Sequence, residues 1–163
     1  MRVGQGFDAH RLIPDGLIRL GGVVVDTTRG VAATSDGDVA AHAVADALLG
    51  AAALGDLGEL FPPSDPRWVG SDSMEMLGEV LRRVGGSGHR VRSIDLTVVA
   101  ETVRVAPHRD AIRAALAARL GLPVSAVSVK ATTTDGLGWL GRDEGIAALA
   151  VAVIDQGPAP GEL

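Results

Sequence analysis

Asp8 and His10 stand two residues apart in GQGFDAHRL, residues 4–12. Residues 2–7 before them read as a short strand, and in a strand positions i and i+2 face the same way. A carboxylate and an imidazole side by side are two hard donors aimed at one point. A third donor of this kind is His42, in SDGDVAAHAVADALLG, residues 35–50. It falls one turn inside a helix capped by Asp36 or Asp38. Two histidines and one carboxylate around a point make a Zn²⁺ site with an open fourth position. Asp46, four residues after His42 on the same helix face, is the candidate acceptor for a ring N–H. Without a metal, the same residues read as a surface His10 and a hydrogen-bonded, buried His42.

A second cluster is KATTTDGLGWLGRDEG, residues 130–145. Three threonines leave a strand and enter a glycine-rich loop, and hydroxyls and free backbone N–H groups suit phosphate oxygens. Lys130 and Arg142 flank it with positive charge. Asp135 fits either a ligand for a hard cation such as Mg²⁺ or the start of a turn. In AETVRVAPH, residues 100–108, Arg104 fits either a phosphate clamp or a surface arginine in a strand-to-helix loop. In GDLGELFPPSDP, residues 55–66, Asp56 fits either a contact to a ligand hydroxyl or the chemistry of a helix end.

These residues need elements to position them. The spacing predicts two short strands around Gly21-Gly22, a loop over 27–36, and a helix over 38–54. A proline-held loop over 56–68 follows. A helix from Ser71 is stopped by the GGSG of 85–88. Then come a strand over 89–101, a helix with Pro107 in its first turn that Gly121 ends, and strands over 128–134 and 145–154. The last strand is apolar on both faces, which predicts a central strand covered on both sides. The order reads as an α/β sandwich of one sheet with helices.

The 163 residues suit one domain, over 1–155, with a loose Pro/Gly-rich tail over 156–163. Apolar residues make up 47% of the chain and aromatic residues only 2%, so the core is closely packed aliphatic. No apolar run approaches the ~18 residues a membrane span needs. There is no cysteine, which excludes disulfides and thiolate zinc sites. With no signal-peptide pattern either, a cytoplasmic location is expected. The net charge of −5 argues against non-specific nucleic-acid binding. An anionic ligand would need local cations or a metal.

Three stretches in order resemble the 2-C-methyl-D-erythritol 2,4-cyclodiphosphate synthase family over roughly residues 1–154. They are GFDAH, SDGDVAAHAVADALLGAAALGDLGELFPPSDP and VKATTTDGLGWLGRDEGIAA. The resemblance implies an α+β subunit with a single mixed sheet covered by helices, assembled as a homotrimer with active sites between subunits. It implies a lyase of isoprenoid precursor biosynthesis, acting on 4-diphosphocytidyl-2-C-methyl-D-erythritol 2-phosphate. It implies Zn²⁺ on Asp8, His10 and His42, and Mg²⁺ or Mn²⁺ with the diphosphate near Asp135. By the same resemblance, Asp56, Leu57, Gly58, Phe61, Pro62, Pro63, Ser64 and Asp65 meet the erythritol side or form its loop. Ala100, Arg104, Val105, Ala106, Thr132 and Thr134 meet the cytidine diphosphate, Trp139 and Arg142 contact substrate, and Thr133 stabilises the transition state.

Three positions depart from the family pattern. Thr34 precedes Ser35 where the family has a histidine assigned to the transition state, so the catalytic set here is Thr133 with Thr34 or Ser35. Asp135 replaces a glutamate, and Trp139 a phenylalanine. A zinc phosphohydrolase and a non-catalytic, metal-stabilised trimer are the competing readings.

Overall fold

The computed structural model describes residues 1–157. Five strands form a mixed sheet, and the rest of the chain packs mainly on one of its faces. The strands are β1 (Arg2–Pro14), β4 (Arg29–Ala32), β5 (His89–Val99), β6 (Val127–Thr132) and β7 (Gly145–Gln156), in the order β4-β1-β7-β5-β6. Only β5 and β6 run parallel. A separate hairpin joins β2 (Ile18–Leu20) to β3 (Val23–Asp26). The helices are α1 (Val39–Ala52), α2 (Leu57–Leu60), α3 (Ser73–Gly86), α4 (Arg109–Leu120) and the single turn α5 (Gly138–Gly141). The α+β expectation therefore holds, and Gly121, at φ 65°, ends α4 as predicted.

The contact that governs the site is α1 on β1. Gly4 and Gly6 face α1, and the helix lies on them backbone to backbone. A Cβ on Gly6 would come within 2.6 Å of the Ala47 backbone nitrogen. The alanines of α1 complete this close fit, and Ala43, Ala47 and Ala51 are almost fully buried. On the same sheet face, Gly4, Gly6, Asp8 and His10 are paired with Ala152, Ala150, Ala148 and Ile146 of β7. So α1 runs down over Gly4 and Gly6 and brings its first turn, with His42, onto Asp8 and His10.

The start of α1 is fixed by Asp38 rather than Asp36. Its carboxylate accepts from the Ala41 backbone N–H at 3.0 Å, and from Gly21 and Gly22 at 2.9 and 2.7 Å. Those two glycines turn the β2–β3 hairpin at φ 56° and 80°, a region open to Gly. Burial pushes the Asp38 carboxyl up, against the three N–H groups that favour its charged form.

Several expectations are corrected. Asp8 and His10 lie inside a 13-residue strand, not at its end. Residues 29–32 of the expected loop form β4, because they pair with the far end of β1, Arg11↔Ala32 to Pro14↔Arg29. The loop after Asp56 contains α2 and a 3-10 turn over Pro66–Trp68. The strand expected to reach 134 stops at Thr132. β7 is central but covered on one face only. Ala148, Ala150 and Ala152 are fully buried beneath the helices, while Val151 on the opposite face is 39% exposed. Phe7 and Val3 of β1 join that open face at 54% and 64% exposure. Gln156, the first residue of the expected tail, still belongs to β7, and residues 158–163 lie outside the described residues.

Candidate active site

Asp8, His10 and His42 converge as their spacing predicts. Each offers one donor atom, and these atoms lie within 4.8 Å of one another. Asp8 Oδ2 is 2.9 Å from His42 Nδ1 and 3.2 Å from His10 Nε2, and the two ring nitrogens are 3.5 Å apart. A tetrahedral ion with bonds of ~2.05 Å has ligand–ligand edges of about 3.3 Å. The triangle therefore already has the size of one face of such a tetrahedron, and its donor types suit a borderline divalent ion. Burial alone would push the Asp8 carboxyl up. The hydrogen bonds and charge of the two histidines outweigh it and hold the group well below the usual carboxylate range. The cluster could hold a metal.

The other face of the His42 ring meets hydroxyls. Nε2 lies 2.8 Å from Ser73 Oγ and 3.2 Å from Ser35 Oγ. Ser73 Oγ donates in turn to Asp36 Oδ1, and the Ser73 backbone N–H reaches Asp36 Oδ2 at 3.3 Å. This corrects the role given to Asp46. Its carboxylate accepts from the Leu57 backbone N–H at 2.8 Å, tying α2 to α1. Burial, first, and then the charges of Asp56 and Asp8 push the Asp46 carboxyl up, against the Leu57 N–H and His42. Ser73 escaped sequence reasoning, and Asp36 was expected only as a helix cap, not as the partner of Ser73. The available signal was the second cap sequence, Ser71-Asp72-Ser73, at the start of α3.

A cavity of about 150 Å³ opens beside the Asp8, His10 and His42 cluster. His10, Thr34, Ser35, His42, Leu57, Gly58, Phe61 and Pro63 line it, with Trp68 and Met76, which were not foreseen. Phe61 and Trp68 meet edge to face, 4.8 Å between centroids, and Arg67 lies over the Trp68 ring. The loop carrying them is tied to the Thr34 segment, whose carbonyl accepts from the Gly70 N–H at 2.7 Å.

A second cavity, of about 400 Å³, lies where β5 and β6 end. Ala100, Glu101, Arg104, Val105, Ala106, Thr132 and Thr133 are among its walls. Glu101 Oε2 is buried without a hydrogen-bond partner among the described residues.

Other expected residues sit apart from both cavities. Asp56 caps α2 through the Glu59 N–H, and Asp65 pairs with Arg67. Pro62 and Ser64 line neither cavity. Thr134 Oγ1 donates to the Leu137 carbonyl, and Asp135 turns the chain at φ 55°. Lys130 is paired with Asp95 and Arg142 with Glu144, so neither is a free cation within the chain. Trp139 stands beside Ala9 and His10 on the outer side of the cluster.

Residues 1–155 match the model of the YgbB family. The chain belongs to the YgbB family. It is 53% identical over 154 residues to the 2-C-methyl-D-erythritol 2,4-cyclodiphosphate synthase of Moorella thermoacetica, covering 94% of both chains. Among solved structures, a 2C-methyl-D-erythritol-2,4-cyclodiphosphate synthase in its CDP-bound form superposes with a TM-score of 0.87 at 36% identity. That match covers 94% of this chain and all of the other. The bifunctional IspDF from Campylobacter jejuni gives a TM-score of 0.92 at 39% identity. There the match covers 95% of this chain and 42% of that longer one. The YgbB relatives are thus enzymes named for making a cyclic diphosphate. No described helix is long and apolar enough to cross a membrane.

Proposed function

We propose that this chain is a cyclodiphosphate synthase of isoprenoid precursor biosynthesis. It converts 4-diphosphocytidyl-2-C-methyl-D-erythritol 2-phosphate into 2-C-methyl-D-erythritol 2,4-cyclodiphosphate and CMP. The observation that carries this reading is the Asp8, His10 and His42 triangle beside a small cavity, in a chain with half its residues identical to named synthases. An oxygen of the 2-phosphate attacks the β-phosphorus and forms the new P–O bond. The bond from that phosphorus to the bridging oxygen breaks, and CMP leaves with the electron pair. No atom is gained or lost, so the enzyme belongs among the phosphorus–oxygen lyases.

Intramolecular phosphoryl transfer needs positioning and charge neutralisation more than a strong base. Asp8, His10 and His42 would hold Zn²⁺, and Asp135 a Mg²⁺ or Mn²⁺ with the diphosphate. Bound there, the ions would supply Lewis-acid neutralisation of the phosphate charge. Leu57, Gly58, Phe61 and Pro63 wall the erythritol, with Asp56, Pro62, Ser64 and Asp65 shaping their loop. Ala100, Arg104, Val105, Ala106, Thr132 and Thr134 receive the cytidine diphosphate, and Trp139 and Arg142 close on the substrate. The unpartnered Glu101 Oε2 supports cytosine as the base, because its exocyclic amine is a donor. Thr133 donates to the transferring phosphoryl group, and Thr34 or Ser35 does so from the other side.

The enzyme works as a homotrimer in the cytoplasm. The support for assembly is the open sheet face of Val3, Phe7 and Val151, which a second copy would cover. It replaces the Ala148, Ala150 and Ala152 face, which α1 already covers.

Phosphorus NMR of protein, substrate and Mg²⁺ tests the reaction. CMP plus a cyclic diphosphate is expected, and inorganic phosphate or a linear product overturns it. Metal analysis of His42→Ala should show zinc lost, and light scattering should give a trimer.

A further inference from the structure

The hydrogen bonds around His42 assign its protons. Ser73 has a single hydroxyl proton, which goes to Asp36 Oδ1, and an ionised carboxylate can only accept. Ser73 Oγ is left with lone pairs alone for its other neighbours, His42 Nε2 at 2.8 Å and, farther off, Ser35 Oγ at 3.5 Å. A ring nitrogen facing an acceptor must carry its hydrogen. With the proton on Nε2, Nδ1 is the ring nitrogen turned to Asp8 and His10, at 2.9 and 3.5 Å; without a metal it shares a proton with the Asp8 carboxylate, and a bound ion takes that proton's place on the lone pair.

Ser35 is the competing partner, and its geometry is poorer. It lies farther from Nε2, at 3.2 Å, and its Oγ already accepts the Gly37 backbone N–H at 3.2 Å. It also lines the cavity, whereas Ser73 is 1% exposed. Asp36 is held independently of the ring. It accepts the backbone N–H groups of Ser73 and Asp38, each at 3.3 Å, and its own N–H donates to the Ser71 carbonyl at 3.0 Å.

We propose that Ser73, backed by Asp36, is a positioning residue that fixes His42 as its Nε2–H tautomer and so presents Nδ1 to the divalent metal. This rests on the reading of Asp8, His10 and His42 as the metal ligands. The hydroxyl acceptor also holds the ring in one orientation, as partners behind metal-bound histidines do. The metal centre is thereby anchored to the first turn of α3, an element that carries none of its ligands.

The test is Zn²⁺ affinity, measured by competition with a chromophoric chelator. Ser73→Ala should weaken zinc binding roughly 10- to 100-fold. Ser73→Thr, which keeps the hydroxyl, should restore most of it, and Ser35→Ala should change it less than about threefold. The Ser73→Ala backbone still donates to Asp36, so the loop stays tied. In the zinc-loaded wild type, NMR should show a slowly exchanging His42 Nε2–H with cross-peaks to the Ser73 β-protons. That measurement decides the matter even where a variant fails to fold. Equal affinity in Ser73→Ala, a larger loss in Ser35→Ala, or cross-peaks to Ser35 instead would overturn the assignment. A wild type that binds no zinc overturns the ligand reading itself, and this inference with it.

Discussion

Gly6 of β1 lies against the backbone of Ala43 in α1 with no space for a side chain between them. Strand and helix meet there at van der Waals distance, and the next residues along each, Asp8 and His42, meet through their donor atoms. Gly6→Ala would force the helix away or twist the strand. The expected cost is about 3 kcal/mol of stability, the upper range for overpacking a dense core. Urea denaturation measures it. Zinc retention should fall too, because His42 moves with the helix, and an unchanged urea midpoint with full zinc would refute the wedge.

Thr34 faces the cavity beside Ser35 and offers only a neutral hydrogen bond. A histidine there could add a charge-assisted one, about twice as strong. Recovering ~1.5 to 3 kcal/mol in the transition state corresponds to roughly 10- to 150-fold in rate. Thr34→His should therefore raise kcat by up to that range while CDP affinity stays level. If Ser35 has taken over the contact, Thr34→His leaves kcat flat and Ser35→Ala lowers it sharply. Steady-state kinetics of both variants separate the two.

Glu101 Oε2 is a buried acceptor beside the larger cavity with no donor from the described residues. Leaving such a group unpaired costs energy that a ligand amine recovers. Cytosine carries that amine, and uracil presents a carbonyl oxygen in its place. Glu101→Ala should weaken CDP binding roughly tenfold and narrow its margin over UDP. Calorimetric titration with both nucleotides reads the change, and an unaltered CDP/UDP ratio counts against the contact.

Asp26 gives the fold an acid limit away from Asp8, His10 and His42. Burial pushes its carboxyl up, but hydrogen bonds from Thr28 and Arg29 and the nearby guanidinium outweigh it and hold it at about 2. A depressed carboxylate contributes stability above its unfolded value, near 3.9, and loses it as pH falls through the folded value. After allowance for solvent screening, the contribution is about 1 kcal/mol. Asp26→Asn should thus unfold at lower urea than wild type at pH 6, and the gap should close between pH 4 and 2. A gap that stays undiminished from pH 6 down to pH 2 would assign the effect to something other than charge.

The Asp8, His10 and His42 triangle was legible because period-two spacing and a helix cap are local signals. Its support was not. Ser73 reaches His42 from 31 positions away, and in sequence it is an ordinary first-turn serine. Asp46 sat on the correct helix face, but the Leu57 N–H at the start of α2 claims its carboxylate. β4 is too short and glycine-broken to announce itself, and its pairing with β1 makes it a strand. The alternation in β7 identified a central strand but not what covers each face. A single chain's pattern does not distinguish a face met by its own helix from one left for a neighbour.

The pairing of β1 with β7, from Arg2↔Ile154 to Arg11↔Gly145, joins the first and last described strands. Loop closure over such a separation is slow, and contacts of this kind delay folding. During synthesis, β1 leaves the ribosome long before its main partner exists. Until then its only strand partner is the short β4 at its far end, although α1 already lies on Gly4 and Gly6. The sheet beneath Asp8, His10 and His42 cannot close until the last strand emerges. Nascent chains halted before residue 145 should therefore be protease-sensitive and dependent on chaperones, whatever zinc is present.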